Sequence, residues 1–257
     1  RMTKTVSKNL IIANWKAHPS TPREAAELAR KTELAASAHR NIEVVVAPPF
    51  PFLGAITPLL KRAKLGSQNA FWGDVGPYTG EVSWHQLKHL MVRYVIVGHS
   101  ERRLLLGETD EMINKKIRAL LEHGLAPVLC VGEREWVDDG MSETVAHQIE
   151  TALAGVKKNL IKNLIIAYEP VWAISTMPDS RADTPENAFQ GNIYIRKILC
   201  RIFGRTAGEG IRIIYGGSVN AGNIRSFLTD GHMRGALVGS ASLNAEEFGR
   251  IIEAASA

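Results

Sequence analysis

Disulfide chemistry has almost nothing to work with in this chain, because its two cysteines, Cys130 and Cys200, stand far apart among 257 residues. They exclude a cystine framework and suit a reducing compartment. No apolar run approaches the roughly 18 residues of a membrane-crossing helix. The N-terminal "RMTKTVSKN" is basic, yet no signal-like apolar core follows it. A Lys/Arg block, an RNA-binding aromatic motif and zinc-finger spacing are also missing. The net charge of +5 therefore gives no support to a nucleic-acid partner, and suits a small anionic substrate equally well. These absences predict a cytoplasmic protein without membrane or nucleic-acid partners.

Linkers, low-complexity segments and composition shifts are absent too, and one domain is expected. What is present is a series of short apolar runs rich in β-branched residues. They are "NLIIANW" (9–15), "EVVVA" (43–47), "KLGSQ" (64–68), "RYVIVG" (93–98), "APVLCV" (126–131), "NLIIAY" (163–168), "IRIIYG" (211–216) and "GALVG" (235–239), which makes eight candidate strands. Helix signals fill the gaps. "STPREAAELARKTELAA" begins with a cap and a proline. "TDEMINKKIRALLEHG" opens on acids and stops at Gly124, and "TPENAFQGNIYIRKILCRIFG" has Thr184 to cap it and Pro185 in its first turn. "NAEEFGRIIEAA" is the last predicted helix.

Apolar strands alternating with helices imply a parallel sheet. Eight such units close into an α/β, single-domain (β/α)8 TIM barrel over residues 1–257, with 1–8 as a short extension. An open doubly wound sheet is the alternative.

Sites in such barrels form at the carboxyl ends of the strands. Those ends carry Asn14 and Lys16, then Gln68 and Asn69, then His99, Ser100 and Glu101. Glu169 follows the sixth run, "YGGSVN" (215–220) the seventh, and Gly239-Ser240 the eighth. Each has an ordinary reading alone: a strand-end charge for Glu169, a solvated amine for Lys16, a capping or core imidazole for His99. Together they place a base, an electrophile and phosphate-sized turns on one rim, which few bland arrangements do.

The segments "ANWK", "VGHSERR", "GETDE", "AYEPVWAI", "YGGSVN" and "LVGSASL" occur in an order that resembles the triosephosphate isomerase family from about residue 9 to the C-terminus. "HSERR" and "YEPVWAI" are the specific parts. The resemblance implies a cofactor-free, metal-free interconversion of dihydroxyacetone phosphate and D-glyceraldehyde 3-phosphate, a step of glycolysis and gluconeogenesis. Glu169 would be the base, with neutral His99 and Lys16 polarising the carbonyl oxygens, as is known for this family. Asn14 would orient substrate, and Glu101 would position Lys16. The resemblance further implies that Ser175, Gly217, Ser218, Gly239 and Ser240 hold the phosphate, through main-chain N–H groups at turns. It implies a homodimer through the loop 68–83, "QNAFWGDVGPYTGEVS", with Thr79 reaching a neighbour's Lys16 region. A tetramer is the other assembly.

Three departures stand out. After "PVWAI" the family's glycine-containing lid tip is replaced by the longer "STMPDSRAD", with Ser175 and Met177 where glycines are usual. Ser240 replaces a second glycine, and Ala17-His18 follows Lys16. The altered lid keeps two further readings open: an isomerase of a longer ketose phosphate, and a phosphate-binding barrel without turnover. Elsewhere, His85 and His89 share a helix face with no third ligand nearby, so they are expected to be solvated. Glu133 and Glu135 are expected to make structural polar contacts, and Cys130 to be a buried apolar residue.

Overall fold

The computed structural model describes residues 8–135, 142–174 and 181–257. Eight parallel strands form a closed barrel in sequence order. They are β1 (Asn9–Asn14), β2 (Ile42–Ala47), β3 (Lys64–Ser67), β4 (Tyr94–Val97), β5 (Ala126–Val131), β6 (Ile165–Tyr168), β7 (Arg212–Tyr215) and β8 (Gly235–Val238). Closure is made where β8 pairs with β1, from Leu10 opposite Gly235 to Ala13 opposite Val238. This is the single-domain TIM barrel, and each of the eight apolar runs supplies one strand.

Strand alternation divides the apolar residues into two cores. Leu10, Ile12, Val45, Ile96, Val128, Cys130, Ile214 and Leu237 fill the barrel interior, whereas Ile11, Val44, Val95, Leu129 and Ile213 face the helices. Cys130 is thus part of the interior, and burial pushes its thiol pKa well up, helped by the charge of Glu169. The helices start where the sequence caps them. Thr21 and Glu24 form a reciprocal capping box at the start of Pro22–Ala38. Thr184 accepts from the Asn187 N–H at the start of Pro185–Phe203, and Asn244 caps Ala245–Ser256.

Register then fixes who meets whom at the carboxyl rim. Val131 lies opposite Tyr168, and Tyr168 opposite Tyr215. Glu169, one residue beyond, therefore stands between Gly132 and Gly216. A Cβ at Gly132 would lie 1.7 Å from the Glu169 carbonyl oxygen, and one at Gly216 would lie 2.6 Å from Glu169 Cγ. Only glycine admits the carboxylate-bearing chain here. At the amino mouth the interior is closed by a polar set: Glu43 accepts hydrogen bonds from the Tyr94 hydroxyl and from Arg212 Nη1.

Candidate active site

Lys16 follows β1 with φ of 54°, in the left-handed region that a side-chain-bearing residue seldom adopts. Two amides hold it there. Asn14 Oδ1 accepts the Lys16 N–H at 3.1 Å, and Gln68 Nε2 donates to the Lys16 carbonyl at 2.8 Å. Its ammonium is 2.5 Å from Glu101 Oε1. Glu101 is thereby linked to both partners of the site, because its own N–H donates to His99 Nδ1 at 3.3 Å.

That last bond sets the imidazole. A nitrogen that accepts a hydrogen bond carries no proton, so in the neutral ring the N–H sits on Nε2. His99 Nε2 is 3.3 Å from Glu169 Oε1, and both residues are buried. The second carboxylate oxygen, Oε2, accepts the Ser100 N–H at 3.1 Å. The geometry sets a base and a weak acid within one proton's reach, with an ammonium on the other side of the ring.

These side chains share one pocket of about 60 Å³, large enough for a few waters. Asn14, Lys16, His99 and Glu169 form one wall, and the turns carrying Gly217, Ser218, Gly239 and Ser240 form the other. Ser218 Oγ donates to the Ala173 carbonyl at 2.8 Å, so its hydroxyl ties the β7 turn to the stem of the following loop. Glu101 flanks Lys16 in an adjoining groove rather than lining the pocket itself. Ser175, expected to contact phosphate, lies outside the described residues.

Sequence reasoning missed the apolar lining from Ile174, Val219, Leu237 and Ala241. It also missed how much hangs on Glu133. Its Oε1 accepts from the Tyr168 hydroxyl at 2.9 Å and from Trp172 Nε1 at 2.8 Å, while its carbonyl accepts the Val171 N–H. The signal was visible as "VGERE" at the end of the fifth strand, but nothing in one sequence says which aromatics reach it. His85 and His89 stack on each other, and His85 Nδ1 meets Asp74 at 3.1 Å. Among the described residues no group of three His, Cys, Asp or Glu side chains could hold a metal ion.

Fold and pocket define a (β/α)8 barrel in which an imidazole, a carboxylate and an ammonium converge at the carboxyl mouth. The family model described as triosephosphate isomerase matches residues 9–255. Curated relatives named triosephosphate isomerase include one from Caldanaerobacter subterraneus subsp. tengcongensis, 42% identical over 95% of this chain and 98% of its own length. Another, from Dictyoglomus thermophilum, is 42% identical over 96% of this chain and 99% of its own. A third, from Thermoanaerobacter pseudethanolicus, is 41% identical over 95% and 98%. The chain belongs to the triosephosphate isomerase family.

Proposed function

We propose that this chain interconverts dihydroxyacetone phosphate and D-glyceraldehyde 3-phosphate through an enediolate. The observation that carries the reading is the approach of His99 Nε2 to Glu169 Oε1 with Lys16 beside them. A substrate carbonyl entering this space takes the Nε2–H of His99 and faces the Lys16 ammonium, both aimed where negative charge develops. Glu169 removes the proton from the carbon next to the carbonyl. The electron pair becomes the enediolate, and a proton moves between its two oxygens. Glu169 then returns its proton to the neighbouring carbon. Atoms and charge balance without a metal or cofactor.

Glu101 holds Lys16, and Asn14 fixes the Lys16 main chain. The turns at Gly217–Ser218 and Gly239–Ser240 offer main-chain N–H groups to the phosphate, and Ser175 is assigned the same part from the loop. Anchoring the phosphate there lets its binding energy orient the reacting end.

The assembly we infer is a homodimer. Val75 and Tyr78 stay exposed at the tip of the loop 68–83, while Phe71 packs on Trp72 and Tyr78 behind them. A groove lined by Lys16, Gln68, Glu101, Leu105 and Leu106 lies open, with Leu105 77% exposed. An apolar tip and an apolar groove on one chain suit a two-fold pairing in which each fills the other. The cytoplasm, where phosphorylated trioses are made and used, is the location that fits the substrate. A coupled assay tests the activity. Turnover of glyceraldehyde 3-phosphate is expected, and its loss on Lys16→Ala should include weaker substrate binding. Turnover of a tetrose phosphate alone would move the substrate, and phosphate binding without turnover would sink the reading.

A further inference from the structure

The opposite end of the barrel carries a second cavity of about 470 Å³, within the range of small-ligand sites. Its charge is lopsided. Lys162, Arg196, Arg212 and Arg234 line it against one carboxylate, Glu209, which already pairs with Arg205 at 2.9 Å. Arg212 is answered by Glu43 at 3.0 Å, but only through Nη1. Arg196 makes no ion pair with an acid among the described residues. Its Nη1 donates to the carbonyls of Gly208, Glu209 and Ile211, at 2.8, 3.2 and 2.5 Å. Those bonds fix the guanidinium in place while leaving its Nε and Nη2 without a hydrogen bond among the described residues. Burial lowers the Arg196 pKa, opposed by the Cys200 and Glu209 charges and reinforced by Arg234.

Three carbonyls thus hold the Arg196 guanidinium and Glu43 holds that of Arg212, each keeping N–H groups without a hydrogen bond among the described residues, at a cavity rimmed by an exposed lysine. Planar forks of this kind bind tetrahedral oxyanions through paired N–H···O bonds. We infer that this mouth is a second ligand site, for a small polyanion carrying two phosphate-like groups. It lies at the end of the strands remote from Glu169, so its occupancy does not compete with the isomerase pocket. An occupant that binds the folded chain alone would stabilise it by mass action.

Inorganic pyrophosphate is the probe, titrated calorimetrically and by amide NMR into the full chain. The carboxyl-mouth pocket also takes anions in our reading, so the decisive titration uses Lys16→Ala, which weakens that pocket. The Lys16→Ala protein is expected to bind pyrophosphate, with the Gly210 and Ile211 amide signals moving. Adding Lys162→Glu, a reversal at an exposed position, is expected to weaken this binding about tenfold or more. Shifts confined to Gly217 and Gly239 would overturn the inference. So would a lack of binding in Lys16→Ala, or unchanged affinity after Lys162→Glu. Arg196→Lys gives a second check, since it keeps the charge but loses the fork, and unaltered affinity there would also count against the site.

Discussion

At the amino mouth, Glu43 accepts from Tyr94 and Arg212. Burial pushes its carboxyl up, but those hydrogen bonds and the Arg212 charge outweigh burial and hold it below its usual range. At the carboxyl mouth, Glu169 is more deeply buried and receives one main-chain N–H plus a contact from His99. Close by, burial pushes the Asp183 carboxyl up despite its bonds from Asn187, Tyr215 and Thr184. The difference between the mouths is the kind of partner: Glu43 has the Arg212 guanidinium, whereas Asp183 has only neutral donors and Glu169 Oε1 has no hydrogen-bond partner among the described residues. A cation beside a buried carboxylate stabilises its charged form, which neutral donors do less strongly.

The largest break in this contrast is expected from Glu169→Gln. It keeps an acceptor for Ser100 but removes the carboxylate proposed as the base, and kcat should fall roughly 10²- to 10⁴-fold. KM and melting temperature should stay close to the parent values. An equal loss of stability and activity would mean that Glu169 is a structural group like Glu43.

The amino mouth should answer the other way. Glu43→Gln is expected to cost about 1.5–3 kcal/mol in urea unfolding, the range for hydrogen bonds to a charged group, with kcat little changed. The folded pKa of Glu43 lies below that of a free glutamate, so its contribution is in full above the free value. It is lost as pH falls through the folded pKa. Parent and variant should therefore converge in acid, and a constant gap down to low pH would refute the assignment.

Asp183→Asn gives the smallest and finest comparison. The folded pKa is above that of a free aspartate, so the native state holds this proton longer than the unfolded chain does. Stability from that group is lost as pH rises from the free value through the folded pKa. The variant should gain on the parent across that window, read from melting temperatures at stepped pH. A gain in the reverse sense would show that the bonds from Tyr215 and Asn187 dominate.

How far the sequence could be read follows the same division. The strands were legible because each is a short β-branched run, and the carboxyl-mouth residues were legible because each directly follows one. Lys16, His99 and Glu169 needed only chain order to be placed on one rim. The amino-mouth set was not legible: Glu43, Tyr94 and Arg212 look like ordinary charges and aromatics at strand starts, and only barrel closure brings them together. Gly132 and Gly216 were similarly opaque. Their need for a missing Cβ comes from the register beside Glu169, which spans three strands. Helix ends were readable where a cap preceded a proline, as at Thr21 and Thr184, since that chemistry is local.

Glu133 grips both Tyr168 and Trp172, Ser218 grips Ala173, and the Arg181 N–H returns to the Trp172 carbonyl at 2.9 Å. The two stems of the segment between Ile174 and Arg181 are thus moored both to the scaffold and to each other. The strand end that carries Glu169 is thereby tied to the bases of the segment that follows it, through Tyr168, Trp172 and Ala173. A strain on either stem is therefore passed to Glu133, a side chain anchored at the end of the neighbouring strand.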